Sequence, residues 1–250
     1  MKLSEENKEY WTSRTIGYSR VNEEELSTEQ KNKWLNAITS HFPEKKESLK
    51  ILDMGTGPGF FAIILAQAGF DVTAADCTAS MLERAKVNAG VYKDQISWVL
   101  SDAHKTELKE EAFDVVVSRN VTWNLEKPEL AYKEWLRILK KGGILLNFDA
   151  NWYRYLFDET KRQGYLKDRK RVKEMHFEDH YTCTDIDRME AIAKKLPLSR
   201  ELRPQWDVSV LEQYKVSSVR TDTEIWKQVW SEEEKANYGS TPMFSVIVVK

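Results

Sequence analysis

ILDMGTGPGFF, residues 51–61, sets an apolar run and an aspartate directly before three glycines in five positions. A short apolar run closed by glycines and followed by an oily stretch reads as strand, turn and helix. Such turns hold ligands, and three ligand classes compete for this one. A nucleoside-triphosphate loop places Lys and then Ser or Thr after its last glycine, whereas Gly59 is followed by Phe60 and Phe61. A dinucleotide turn runs G-x-G-x-x-G. Gly55 and Gly57 fit its start, but Phe60 stands in the third place and Gly59 comes one residue early. D-x-G-x-G-x-G suits a ligand without a pyrophosphate. Its glycines remove the Cβ atoms that would block a flat, uncharged nucleoside and its amino-acid tail. Asp53 is then placed to order the loop and face a cationic ammonium.

The pattern extends on both sides. LKILDM (49–54) reads as a buried strand, and 59–68 as a helix ended by Gly69. FDVTAAD (70–76) reads as a second strand, followed by a helix over 78–89 whose Met81, Leu82, Ala85 and Ala89 share one face. ISWVL (96–100) and FDVVVS (113–118) give strands three and four. A helix runs from Pro128 to Leu139 and stops at LKKGG, and GILLNFD (143–149) gives strand five. Apolar strands alternating with helices predict a parallel sheet covered on both faces. Right-handed crossovers make it doubly wound. Ligands then bind beyond the carboxyl ends of the strands, after Met54, Ala75, Leu100, Ser118 and Phe148.

Upstream, a polar stretch over 1–33 precedes a helix with Trp34, Leu35 and Ile38 on one side. Downstream the alternation is lost over 151–205, where two helices are expected. DVSVLEQY (207–214) reads as a helix, VSSVRTD (216–222) as a sixth strand and SVIVV (245–249) as a seventh. The expectation is one α/β domain over 1–250 with a seven-stranded, mostly parallel sheet and helices on both faces. It comprises an N-terminal helical lid (1–45), a ligand-binding half (46–150), an inserted helical cap (151–206) and a completion of the sheet (207–250).

Taken in order, the motifs of residues 49–150 resemble those of the class I S-adenosylmethionine-dependent methyltransferases, of the small-molecule, methyltransferase-domain 11-like type. ILDMGTGPG looks like the family's first motif, which puts Asp53, Gly55, Thr56, Gly57 and Gly59 at the cofactor. Asp76 ends the second strand where the family's acidic residue takes both ribose hydroxyls, with Cys77 beside it. DCTASML is similar to D-x-S-x-x-M-L, with Thr78 for Ser and Met81 where a side chain lies against adenine. SDA (101–103) looks like the motif whose Asp102 meets the adenine amino group and whose Ala103 lends a backbone N–H. DVVVSRNVTWNL resembles the segment in which backbone near Ser118 and Arg119 approaches the methionine part. LRILKKGGILL is similar to the stretch leading into the family's fifth strand. YWTSRTIGYSR (10–20) resembles the aromatic stretch that folds over the methionine end in small-molecule members, turning Tyr18, and beside it Tyr10 and Arg14, toward its carboxylate.

The resemblance implies a Rossmann-like fold, S-adenosyl-L-methionine as cofactor, S-adenosyl-L-homocysteine as product, and in-line displacement at a sulfonium methyl carbon. That reaction asks mainly for positioning and exclusion of water, so no triad or metal motif is required. Each position also has a plainer reading. Asp76 suits a helix cap, Met81 a core, Asp102 a turn, and Trp11 and Tyr18 a helix packed on the sheet edge. Their joint occurrence at four strand ends favours the cofactor.

The acceptor side is less marked. After strand four the sequence reads SRNVTW, without the N/D-P-P-Y/F segment of enzymes that methylate amides or base amines. NWYRYLF (151–157) follows strand five, where substrate is expected. Trp152, Tyr153 and Trp206 would wall an apolar or cationic pocket, with Asn120, Trp123 and Asn151 at its rim. Aromatics this dense more often serve a core. In MHFEDHYTC (175–183), His176 and His180 are candidate general bases for a hydroxyl or thiol acceptor. On a helix they would share a face and, with Cys183, suit a soft metal, but the spacing matches no standard finger and no metal is assigned. KRQGYLKDRKRVK (161–173) carries seven basic residues against one acid. It reads as a solvated helix face or, with Tyr165 to stack on bases, as an RNA contact.

The whole chain has 250 residues, 41% hydrophobic and 31% charged, with a formal net charge of −2. That balance gives no general drive toward nucleic acid or anionic membrane. Two cysteines, Cys77 and Cys183, make no disulfide framework, and MKLSEENKEY has no apolar signal core. FFAIILAQAGF is too short to span a bilayer. A cytoplasmic small-molecule methyltransferase without nucleic-acid or membrane partners is the expectation. An RNA methyltransferase and a non-catalytic cofactor- or metal-binding regulator are its alternatives.

Overall fold

The computed structural model describes residues 2–43, 49–181 and 184–250. Two helices, α1 (Leu3–Ser27) and α2 (Gln30–Thr39), precede the alternation. It runs β1 (Lys50–Met54), α3 (Phe60–Gln67), β2 (Asp71–Asp76), α4 (Ala79–Ala89), β3 (Ile96–Leu100), β4 (Phe113–Arg119), α5 (Pro128–Ile138) and β5 (Leu139–Asp149). Three helices follow, α6 (Glu159–Glu174), α7 (Ile186–Ala193) and α8 (Gln205–Leu211), then β6 (Ser218–Asp222), α9 (Trp226–Val229), α10 (Glu232–Tyr238) and β7 (Phe244–Val249). The strands form one sheet in the order β3-β2-β1-β4-β5-β7-β6. The first five pair in parallel, and β7 runs antiparallel to both β5 and β6. Strand order reverses at β1 and β4, which is where an open α/β sheet offers a crevice.

Two cores follow from the pleat, since successive strand residues point to opposite faces. Ile51, Val72, Val115, Val117 and Leu146 cluster with Trp34, Ile38 and every residue of α3 from Phe60 to Ala66. Leu52, Val116, Leu145 and Val248 cluster with Tyr132, Trp135 and Leu211 on the other side. Because α3 is buried all round, its sequence is apolar all round. Trp34 anchors the first core, edge-on to Phe61 and Phe148 with ring centroids 5.0 and 5.2 Å away.

The N-terminal helix is built differently. Apart from Tyr10, the buried face of α1 is polar: Thr15, Ser19, Asn22 and Glu25. It lies on α4 through hydrogen bonds, Thr15 Oγ1 to Ser80 Oγ at 2.8 Å and Arg84 Nε to Ser19 Oγ at 2.8 Å. An Arg84–Glu23 ion pair at 2.6 Å extends the contact.

The structure departs from the sequence reading in three places. LKKGG does not interrupt the fifth strand; α5 ends at Ile138 and β5 starts at Leu139. The stretch bulges, with Leu139 to Ile144 set against only Phe113 to Val115 of β4, and Gly142 supplies the positive φ of 72° that the bulge needs. Both helices between β6 and β7 were unpredicted. His176 and His180 share no helix, because α6 stops at Glu174 and His176 adopts a φ of 57°. Among the described residues, no helix is long and apolar enough to cross a membrane.

Candidate functional site

The turn after β1 is held from below. Asp53, 1% exposed, accepts hydrogen bonds from Thr56 Oγ1 at 2.6 Å and from the Ala62 amide at 3.0 Å. Its carboxylate therefore ties the turn to the first turn of α3. Burial raises the Asp53 pKa to about 6 from its usual 3.8, against the pull of those two donors. The Gly55 and Thr56 amides donate to Ala75 O at 2.8 and 3.0 Å, fixing the turn to the end of β2. Gly55 and Gly59 have φ of 71° and 97°, and a Cβ on them would meet Val121 Cγ2 at 2.3 Å and Ala85 Cβ at 2.9 Å. These glycines thus answer to the fold as well as to any ligand.

A cavity of about 410 Å³ opens above the turn. Gly55, Gly57, Asp76, Cys77, Met81, Asp102, Ala103, Arg119 and Tyr18 line it. These expected positions come from four strand ends and α1. Asp53, Thr56, Gly59 and Ser118 lie behind its wall. Asp76 accepts from the Gly57 amide at 2.9 Å and the Thr78 amide at 2.8 Å. Burial raises its pKa, and those amides hold it down. Asp102 Oδ1 faces His104 Nδ1 at 2.6 Å, and His104 Nε2 accepts from the Lys127 amide at 3.3 Å. The imidazole proton is thereby placed on Nδ1, donating to Asp102. The amino-terminal turns of α1 also reach the cavity, through Asn7, Lys8 and Trp11, and Asn7 Nδ2 donates to Asn124 O at 2.8 Å. Sequence reasoning missed Asn7 and Lys8, for which a polar segment gave no signal.

A second cavity, about 480 Å³, adjoins the first. Trp11, Tyr18, Arg119 and Asn120 line both. Of the residues expected around an acceptor, Asn120, Trp123, Trp152 and Tyr153 are brought together here. Asn120, at a φ of 59°, receives Trp123 Nε1 on its carbonyl at 2.9 Å and Trp152 Nε1 on Oδ1 at 3.3 Å. Arg119 grips Glu25 of α1 with two bonds, Nη1 to Oε1 at 2.6 Å and Nη2 to Oε2 at 2.9 Å. The same guanidinium lies 4.6 Å from the Phe60 ring centroid.

Other expected positions fall elsewhere. Trp206 stacks on Tyr132 at 6.3 Å, in the core beneath α5, and lines neither cavity. Asn151 spends its amide on Arg203, donating to O at 2.8 Å and accepting from N at 3.0 Å. His176 is exposed and in neither cavity. His180 does line the second cavity, with Tyr238 Oη 2.9 Å from Nδ1 and Glu233 Oε1 3.2 Å from Nε2. Cys183 lies outside the described residues, among which no cluster of three metal-ligating side chains occurs. On α6, Tyr165 is stacked on Tyr155 at 4.2 Å and Arg169 bonds Asp179 at 2.5 Å. Neither is presented for an RNA strand.

Beneath the second cavity lies a buried ionic cluster that the sequence did not announce. Arg203 Nη1 donates to Asp149 Oδ2 at 2.7 Å, Nε and Nη2 to Asp207 at 2.9 and 2.7 Å, and Nη2 to Thr122 Oγ1 at 2.7 Å. All three charged side chains are 0% exposed. Asp149 Oδ2 also accepts from the Trp123 amide at 2.9 Å. The end of β5 thus fixes the 122–124 turn that carries Trp123 into the second cavity.

The sheet order, its antiparallel last hairpin and a crevice over a glycine turn define a Rossmann-like nucleoside-binding fold. A family model of the methyltransferase domain matches residues 52–147. The chain is 29% identical over 177 residues to uncharacterized methyltransferase YbaJ of Bacillus subtilis (strain 168), across 68% of each chain. It is 29% identical over 112 residues to the ubiquinone biosynthesis O-methyltransferase of Rickettsia akari (strain Hartford), across 45% of this chain and only 44% of that one. Phosphoethanolamine N-methyltransferase 2 of Haemonchus contortus, solved with S-adenosyl-L-methionine, superposes with a TM-score of 0.61 at 17% identity, over 88% of this chain and 52% of that one. At that identity the likeness is one of fold. Residues 52–147 carry a methyltransferase domain of the class I S-adenosylmethionine-dependent type, whose cofactor is S-adenosylmethionine.

Proposed function

We propose that this methyltransferase acts on a small molecule, with the cofactor in the first cavity and the acceptor in the second. The observation that carries the reading is the shared wall: Trp11, Tyr18, Arg119 and Asn120 face both cavities. A cofactor and an acceptor on either side of one wall are close enough to react without water between them.

The residues of the first cavity fit the cofactor. Each carboxylate oxygen accepts more than one hydrogen bond, so Asp76 keeps acceptor capacity for the ribose hydroxyls beyond its bonds to Gly57 and Thr78. Met81 offers a polarisable side chain to the adenine face, and Asp102 and Ala103 lie on the wall where its edge would come. Gly55, Gly57 and Arg119 surround the methionine end, with Tyr18 above it. Bound there, S-adenosylmethionine supplies a methyl carbon whose bonding electrons to sulfur leave with the sulfur as the acceptor attacks. The protein's part is to orient and to dry the site. Calorimetry tests this reading. S-adenosylhomocysteine should bind wild-type protein, and Asp76→Ala should weaken it about 100-fold, the equivalent of two charge-assisted hydrogen bonds. Equal affinity in the variant, or no binding by wild type, refutes it. Tyr165, the one ring on α6 that could stack on a base, is stacked on Tyr155 instead, which favours the small molecule over RNA.

A further inference from the structure

The charges of the second cavity bear on the class of acceptor, an inference that rests on the acceptor reading above. Trp152 stands edge-on to Tyr238 with ring centroids 5.2 Å apart, and Tyr238 leans on Trp230 at 5.7 Å. Among these rings, most charged groups are already matched. Arg119 is bidentate to Glu25. Glu233 is taken by His180, which donates from Nε2 to Oε1 at 3.2 Å, with Tyr238 Oη 2.9 Å from Nδ1. On the lining, Arg14 and Arg20 of α1 are offset by the exposed Glu24 and Glu178.

Glu234 is left over. Gln30 Nε2 donates to its Oε2, and so does the Ser231 amide at 2.8 Å; among the described residues no hydrogen bond reaches Oε1. Burial and the nearby Glu25 raise its pKa to about 7, with Arg119 and the Ser231 amide opposing. Tyr18 and Tyr238 are the other titratable groups that feel it. A carboxyl poised near neutrality, among aromatic rings and without a cation of its own, suits a ligand that brings the cation.

We infer that the acceptor is an amine, entering as its ammonium ion with the nitrogen against Glu234 and among the rings of Trp152 and Tyr238. Glu234 takes one proton from nitrogen, which frees a lone pair. That pair forms the bond to the methyl carbon while the electrons of the carbon–sulfur bond pass to sulfur. The positive charge moves from sulfur to the methylated nitrogen, and the proton on Glu234 leaves to water before the next turnover.

Three probes of one shape and different charge test the assignment: benzylamine, benzyl alcohol and benzoate, titrated calorimetrically with S-adenosylhomocysteine present. Benzylamine should bind about tenfold more tightly than benzyl alcohol, and benzoate most weakly. Glu234→Gln preserves the Ser-x-x-Gln form of the α10 cap and should bring amine and alcohol within about twofold of each other. Trp152→Leu should weaken benzylamine more than benzyl alcohol. The assignment is overturned if benzylamine does not bind, if the alcohol or benzoate binds as well as the amine, or if Glu234→Gln keeps the preference. S-adenosylhomocysteine affinity, measured on the same samples, separates the two levels. Intact cofactor binding without amine preference removes only the amine, whereas absent cofactor binding removes the methyltransferase reading with it.

Discussion

Arg203→Met should be among the most damaging single changes in the molecule. The substitution keeps an unbranched side chain but deletes the charge that serves Asp149 and Asp207, both 0% exposed. Breaking a buried pair from one side strands the partner charge and costs about 3–5 kcal/mol. Here two carboxylates are stranded. Some donors stay: Asp149 Oδ2 keeps Thr122 Oγ1 and the Trp123 amide, and Asp207 Oδ1 keeps Tyr132 Oη. We therefore expect a loss of about 4 kcal/mol at pH 8, against a total stability of roughly 5–15 kcal/mol for a domain. Urea unfolding read by tryptophan fluorescence measures it. Replacing the carboxylates too, as in Arg203→Met with Asp149→Asn and Asp207→Asn, should restore part of the loss, because no ion is then left unpaired. The loss in Arg203→Met should also shrink at pH 5, where stranded carboxylates take up protons. A loss below about 1 kcal/mol at pH 8, or one that grows on acidification, would refute the reasoning.

Three further outcomes are expected. Asp53 and Glu234 both have folded pKa values raised, to about 6 and about 7, so the stability they contribute is present at low pH and lost as pH rises through those values. Unfolding free energy should increase by about 4 kcal/mol from pH 8 to pH 5, and Asp53→Asn with Glu234→Gln should flatten that slope in denaturant titrations. Gly59→Ala forces a side chain onto a φ of 97° and within 2.9 Å of Ala85; a loss of about 2–3 kcal/mol in thermal unfolding is expected, and an unchanged midpoint would contradict the packing described. Glu25→Gln removes the charge that holds Arg119, so trypsin should cut α1 at Arg14 or Arg20 several times faster, as followed by mass spectrometry, with S-adenosylhomocysteine slowing it.

The parallel half of the sheet was legible because its strands are short, largely apolar runs, most deeply buried in β1 and β4, and Gly, Asp or Pro punctuates every crossover. The positions at the strand ends were legible through the order of their motifs, and Asp76, Met81 and Asp102 do share one cavity. Asp53 was expected to order the loop and to face a ligand; its Oδ2 takes both Thr56 and Ala62, a bond pattern that spacing alone does not carry. LKKGG read as a stop because paired glycines usually end a helix or strand, while here they bulge one. The long α1 left no apolar stripe to read, since its inward face is hydroxyls, an amide and a carboxylate. Arg203 meets Asp149 and Thr122 across 54 and 81 residues of chain. No local pattern announces such a meeting, and Trp206 beside it was accordingly misassigned to a pocket.

The polar underside of α1 has a consequence for turnover. Lifting a helix off an oily seat exposes apolar surface to water, but each hydrogen bond of Thr15 and Ser19 to α4 has a water molecule ready to replace it. The middle of α1 therefore gives up little on parting from α4, whereas both ends are held: Tyr10 packs with Trp123, Met189 and Ile192, and Glu25 clasps Arg119. Because residues of α1 line both chambers, how firmly those two ends are seated bears on access to each.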